Sequence, residues 1–178
     1  KVMMNSIDSL LAYTISEESQ KAKQLKEISI DREDLILERT RLKNQVHTLL
    51  YRIYNTEYEQ KFKDPFALKA LKYWSKAKMK CDPFLLKTMK RKVKRLSDIH
   101  VEVVDLEKDM KSLLEAGGYT IQTASGCGLV LASAIIGEVS DINRFTSPGA
   151  LSKYAGCSPR ERSSGKRTRH VKTRSGNR

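Results

Sequence analysis

The chain has 178 residues, with 34 Lys and Arg against 21 Asp and Glu, and its formal net charge of +13 at pH 7 indicates a polyanionic partner, most simply a nucleic-acid backbone. Its 39% of apolar residues can supply a modest core, which excludes a wholly disordered chain. Three widely spaced cysteines, Cys81, Cys127 and Cys157, suggest neither a disulfide framework nor a zinc site and favour a reducing, cytoplasmic compartment.

The first predicted element is a long amphipathic helix. Ser16 can cap it, Glu17 and Glu18 suit the positive end of its dipole, and no Pro or Gly interrupts it before Pro65. Its apolar residues keep to one stripe, formed by Leu25, Ile28, Leu35, Leu42, Val46, Leu49 and Ile53.

A connector and a second long helix follow. The segment KDPFALKALKYWSKAKMKCDPF contains two Asp-Pro pairs, which predict a short helix between the prolines. The next apolar residues alternate spacings of three and four, which is the seam of a coiled coil: Leu96, Ile99, Val103, Leu106, Met110 and Leu113. We expect the two stripes to pair antiparallel and to serve as core.

The basic run KTMKRKVKR, residues 87–95, lies at the start of the second long helix. Such a run is typical of a solvated helix face, and contact with a nucleic-acid backbone is the alternative.

Gly117 and Gly118 predict the end of that helix. A tight turn then contains Gly126 and Gly128, and a helix follows in which Ala132 and Ala134 allow close approach. This pattern resembles the helix-hairpin-helix motif, which offers backbone N–H groups to a DNA phosphate, although tight helix packing would also favour these glycines. The apolar run 129–139 is shorter than the roughly 20 residues that a membrane span requires, so no span is predicted.

A further short helix is predicted at ALSKYAG, with Ser147 as N-cap, Pro148 as first residue and Gly156 as its end. The next segment, PRERSSGKRTRH, sets two serines among arginines and lysines. It is either a solvated basic tail or a site where guanidinium groups gather a phosphate that a serine attacks.

From Thr120 onward the chain resembles the C-terminal transposase domain of the insertion-sequence 110/116/902 family. The similar features occur in one order: the glycine turn, a small-residue helix ending in Glu138, an Arg-Phe turn, Tyr-Ala-Gly, Pro-Arg-x-x-x-Ser-Gly and a basic stretch with Gly-Asn-Arg. The segment DLILERTRLKNQVHTLL resembles the long helix of the same family.

The resemblance implies a serine that becomes joined to DNA during strand exchange, and guidance by a structured RNA. It assigns the nucleophile to Ser164, with Ser163 as reserve. The implied DNA-binding residues are Gly126, Gly128, Arg160, Arg162, Lys166, Arg167, Arg169, Lys172 and Arg174. His170 is either a general base or a residue that contacts phosphate or solvent, and His47 and His100 lie on predicted helices without companion metal ligands.

The family also carries a RuvC-like nuclease domain with an Asp-Glu-Asp-Asp Mg²⁺ site. NSIDSLLAY resembles its last motif, with Asp8 as the final carboxylate, but Asn5 stands where the family has Asp and cannot supply that charge. Ser125 and Cys127 replace the usual Pro and Ile. We therefore expect a fragment that lacks most of the nuclease domain, binds no metal itself and retains DNA binding more readily than catalysis.

The predicted fold is mainly α, a long antiparallel helical hairpin followed by a small helical domain. The predicted divisions are a nuclease remnant at 1–14, the coiled coil at 15–116 and the transposase domain at 117–178. Three functions stay open: a transposase fragment, a non-catalytic nucleic-acid-binding module, and a structural coiled coil with a basic tail. We also expect a homo-oligomer formed through the coiled coil.

Overall fold

The computed structural model describes residues 17–55, 58, 61–78, 81–158, 160–164 and 167–171, and for 17–19 and the residues from 160 onward it describes the backbone alone. The elements in chain order are α1 (Glu17–Tyr54), α2 (Leu68–Lys76), α3 (Pro83–Ala116), α4 (Leu129–Val139), α5 (Pro148–Tyr154), β1 (Arg160–Ser164) and β2 (Arg167–Val171). Single 3-10 turns at Ile121–Thr123 and Ile142–Arg144 precede α4 and α5. The predicted mainly α class is confirmed, with a two-stranded hairpin in addition.

Two compact units make up the chain, the first ending at Glu138 and the second beginning at Val139. In the first unit α1 and α3 pair antiparallel, as predicted. The ammonium group of Lys21 donates to the Ala116 carbonyl at 2.8 Å, and that of Lys92 donates to Gln45 Oε1 at 2.5 Å. Residue numbers therefore rise along α1 as they fall along α3.

The connector end of the helical pair holds the larger apolar cluster, and α2 is the short helix predicted between Pro65 and Pro83. Trp74 lies fully buried there, and its indole Nε1 donates to the Pro65 carbonyl at 3.0 Å. Asp82 caps α3 by accepting a hydrogen bond from the Phe84 amide. The buried members are Val46, Leu50, Tyr58, Ala70, Leu71, Trp74, Met89, Val93 and Leu96.

His47 Nε2 contacts the Tyr58 hydroxyl at 2.6 Å, a contact that the sequence analysis did not anticipate. Leu50 is fully buried whereas Leu49, predicted in the stripe, is only partly so.

The opposite end of the helical pair holds the second apolar cluster, where α4 packs against α1 and α3. The buried members of this cluster are Ala22, Leu25, Leu114, Cys127, Ala132 and Ile136. A Cβ built on Gly137 would lie 2.7 Å from the Lys26 Cα and backbone N, so glycine is what permits this approach. The prediction for Ala132 holds, but that for Ala134 was wrong, because Ala134 is exposed and Gly137 takes its place on the packed face.

Between the two clusters the helical pair is held by ion pairs. Arg32 of α1 meets Glu107 of α3 at 2.7 Å, and Arg95 of α3 meets Glu38 of α1 at 2.9 Å. Arg95 also pairs within its own helix with Glu102, at 2.7 Å. The hydrogen bonds from Arg95 lower the pKa of Glu38. Within the described part of the chain, no helix is long and apolar enough to cross a membrane.

Candidate nucleic-acid interface

The second unit begins with a capped helix that fulfils its sequence prediction. The Ser147 hydroxyl accepts a hydrogen bond from the Ala150 amide at 3.2 Å, and Pro148 is the first residue of α5. Gly156 follows the helix with φ of +72°, a conformation that glycine adopts without a steric penalty.

The basic serine-containing segment forms an antiparallel β-hairpin, which the sequence analysis did not predict. The register pairs Arg160 with Val171, Glu161 with His170, Arg162 with Arg169, Ser163 with Thr168 and Ser164 with Arg167. Ser164 is the last residue of β1, and two residues separate it from β2 in the chain.

Strand geometry assigns these positions to two faces. Directly paired residues share a face, and successive residues alternate between faces. Position 164 therefore shares a face with positions 160, 162, 167 and 169, all of which are arginine, and with Val171 at the open end of the hairpin. Position 163 shares the other face with Glu161, Thr168 and His170.

The register thus separates the two serines that the sequence left adjacent. One face combines a hydroxyl position with four guanidinium positions, and guanidinium groups bind phosphate oxygens with two parallel hydrogen bonds. The other face combines Ser163 with an acidic and an imidazole position. Lys166, Lys172 and Arg174, also predicted to bind DNA, lie outside the described residues.

Arg144 is an exposed arginine of the second unit to which sequence reasoning gave no role. Its guanidinium lies 4.7 Å from the ring centroid of Phe145 and 4.7 Å from that of Tyr154, and the two rings are 5.3 Å apart. Stacking on two rings restrains the plane of the guanidinium group. The sequence signal was the Arg-Phe pair followed ten residues later by a tyrosine.

The predicted glycine turn lies in the first unit. Gly126 has φ of +81°, and the Cys127 amide donates to the Ala124 carbonyl at 3.0 Å. A Cβ on Gly126 or Gly128 would meet no atom of the described chain within 4 Å, and both residues are exposed. A 3-10 turn, not a full helix, precedes this turn, so the helix-hairpin-helix interpretation stays a prediction.

The predicted metal ligand, Asp8, lies outside the described residues. Among the residues that are described, no group of three or more His, Cys, Asp or Glu side chains is arranged to hold a metal ion.

Comparison with protein families gives one match. Residues 118–178 match the model described as transposase IS116/IS110/IS902 family, a range that includes the Gly126 turn, α4, α5 and the hairpin. Neither the curated proteins nor the solved structures contain a match to the chain. Because the matching family consists of transposases, the match implies DNA binding and DNA transposition. Residues 118–178 are therefore similar to the transposases of the IS116/IS110/IS902 family.

Proposed function

We propose that this chain is part of a DNA transposase that exchanges strands through a covalent link between Ser164 and a DNA phosphate. The observation that carries the proposal is the hairpin register, because position 164 shares a face with Arg160, Arg162, Arg167 and Arg169. Guanidinium groups at those positions gather phosphate and stabilise the charge that develops on it in the transition state.

The proposed step is a transesterification. The Ser164 hydroxyl oxygen forms a bond to the DNA phosphorus, and the bond from that phosphorus to one sugar oxygen breaks. The hydroxyl proton passes to a base and the released sugar oxygen takes up a proton, so the number of phosphodiester bonds is conserved until the strands have been exchanged. His170 is not proposed as this base, because position 170 shares a face with Ser163 and not with Ser164.

Other contacts extend the proposal. The exposed backbone at Gly126 and Gly128 offers N–H groups to a second phosphate, and Lys166, Lys172 and Arg174, which adjoin the strands in the sequence, add positive charge. Pairing of chains through α1 and α3 makes the protein a homo-oligomer, and a structured RNA guides it. Mg²⁺ at carboxylates that include Asp8 is proposed for the full-length family enzyme, and this chain alone is proposed to bind none.

The test replaces each serine separately in the full chain. Wild type, Ser164→Ala and Ser163→Ala are incubated with DNA that carries the sequences flanking the gene, and covalent protein–DNA product is measured on a denaturing gel. We expect Ser164→Ala to abolish the product with unchanged DNA affinity, and Ser163→Ala to retain it. Product that survives in Ser164→Ala, or disappears only in Ser163→Ala, refutes the assignment.

Binding without chemistry is the second candidate. The net charge of +13 favours it, because phosphate binding requires cationic side chains but no nucleophile. It predicts no covalent product from the wild type and an affinity for DNA that falls steeply with salt. A purely structural coiled coil would show no such affinity.

A further inference from the structure

The basic segment of α3, residues 83–95, is divided by the helix into an inner and an outer side. Lys92 donates to Gln45 and Arg95 pairs with Glu38, so both are bonded to α1, while Met89 is buried against it. The remaining four basic residues define what we term the outer basic face: Lys87, Lys90, Arg91 and Lys94.

The outer basic face is available to a ligand. Lys87, Arg91 and Lys94 are exposed and Lys90 is half-buried, and none of the four is hydrogen-bonded or ion-paired to another described residue. Their side chains line one groove together with Pro83 and Leu86.

Charge is strongly segregated along α3. Residues 83–95 include six basic residues and no acidic one, whereas residues 96–116 include six acidic residues and two basic ones. In the acidic half, Lys108 pairs with Asp105 at 2.9 Å and Lys111 with Glu115 at 3.8 Å. The lysines of the acidic half thus have local carboxylate partners, unlike those of the outer basic face.

Helix stability does not explain this distribution. Positive charge near the N-terminus and negative charge near the C-terminus both oppose the helix dipole. The outer basic face also places like charges at spacings of three and four, as between Lys87 and Lys90 and between Lys90 and Lys94, and such pairs weaken a helix. A polyanion bound at this face would offset both effects.

We propose that the outer basic face binds the phosphate backbone of duplex DNA, as a contact separate from the C-terminal domain. This proposal rests on the proposed function in one respect. We take DNA as the partner because residues 118–178 match the transposase family. Lys87 and Lys94 are seven residues apart, about 10.5 Å along the helix axis. At 3.4 Å of duplex axis per nucleotide of one strand, that distance matches about three nucleotide steps. Contacts to phosphate alone make this binding independent of base sequence.

The experiment compares two double variants of the full chain that remove equal charge from the same helix. Lys87→Gln/Lys94→Gln removes half of the outer basic face, and Lys108→Gln/Lys111→Gln is the matched control in the acidic half. Binding to a 30-base-pair duplex of arbitrary sequence is followed by fluorescence anisotropy between 50 and 200 mM salt. Helix content and melting temperature are measured in parallel.

We expect Lys87→Gln/Lys94→Gln to lower the slope of log affinity against log salt by about 2, since each phosphate contact contributes about 0.9. Wild-type affinity should accordingly fall about tenfold more than that of the variant over this salt range. The control should change affinity less than about twofold, because its lysines have carboxylate partners that already screen them. The melting temperature of Lys87→Gln/Lys94→Gln should be equal to wild type or higher, since like-charge repulsion is relieved.

An unchanged slope in Lys87→Gln/Lys94→Gln, or an equal loss in the control, overturns the proposal. Binding to a duplex RNA of the same sequence is measured in the same way. If Lys87→Gln/Lys94→Gln loses affinity for this RNA but not for the DNA duplex, the proposal is also overturned. The proposed function is tested separately by the covalent-product assay with Ser164→Ala. If that assay supports Ser164 while the salt slope of Lys87→Gln/Lys94→Gln is unchanged, only the proposal for the outer basic face is overturned. A wild-type chain that binds no DNA overturns both.

Discussion

Replacing Gly137 with Ala tests how closely α4 lies against α1. The added Cβ would meet the Lys26 Cα and backbone N at 2.7 Å and the Lys26 Cβ at 3.0 Å. Two of these three atoms belong to the backbone, so a change of side-chain rotamer cannot relieve the contact. One helix must move away from the other by several tenths of an ångström, which also disturbs the packing of Ala132 and Ile136 in the same cluster.

The expected magnitude is the difference between two opposing terms. Overpacking of a close contact costs about 1–3 kcal/mol, and replacing Gly by Ala inside a helix returns about 1 kcal/mol. We therefore expect a net loss of about 1 kcal/mol, which corresponds to a melting temperature about 2–4 °C lower for a chain of this size. Thermal unfolding followed by helix circular dichroism measures it.

The matched control is Ala134→Gly in the same helix. Ala134 is exposed, so this variant measures the helix-propensity term without the steric term and should lose about 1 kcal/mol. If Gly137→Ala instead raised the melting temperature by the amount that Ala134→Gly lowers it, no steric term would exist. The close approach of α4 to α1 would then be refuted.

Two further predictions concern polar contacts. Arg95 lowers the pKa of Glu38, so the stabilisation from this pair is present above the ordinary carboxyl pKa of 4.5 and is lost as the pH falls through the lower value of the folded chain. Glu38→Gln should therefore reduce the free energy of unfolding at pH 7. The loss should be less than about 1 kcal/mol, because the side chains of Arg95 and Glu38 are both 39% exposed. Urea unfolding measures it, and a difference between variant and wild type that is as large at pH 2 as at pH 7 would contradict the prediction. Ser147→Ala should destabilise α5 by about 0.5–2 kcal/mol, and Ser147→Gly by only a few tenths, because glycine is itself a tolerated N-cap. Hydrogen exchange at the Ala150 amide, the donor to the Ser147 hydroxyl, measures the loss, and equal protection in wild type and Ser147→Ala would refute the cap.

The helices could be predicted because their signals are local. The Asp-Pro pairs delimit α2, Ser147-Pro148 starts α5, and spacings of three and four run along α3. The individual buried positions were less predictable. The stripe treats Leu35 and Leu106 as core, but both are only half-buried and line a groove between α1 and α3 together with acidic residues.

The hairpin could not be predicted from its residues, because neither strand alternates apolar and polar side chains. Pairing of the two strands depends on both segments together, so the residues of either strand alone do not indicate it. The same reason explains why Ser163 and Ser164 could not be separated by sequence. Both have the same basic neighbours, and only the parity of the strand register assigns them to different faces.

The net charge of +13 has a distribution that a general attraction to polyanions does not account for. Within the first unit, a groove between α1 and α3 is lined by Asp31, Asp34, Glu38, Glu102, Asp105 and Asp109. It lies between the outer basic face and the end of the helical pair that carries the Gly126 turn. From Lys94 to Ala116 the helix runs for about 33 Å, more than three Debye lengths at physiological salt. This stretch would repel an anionic backbone, so the contacts proposed at the outer basic face and at the glycine turn would be discrete and would not form one continuous track. Affinity that depended only on total charge would be insensitive to which lysines of α3 are removed, and this is the point on which the two double variants must differ.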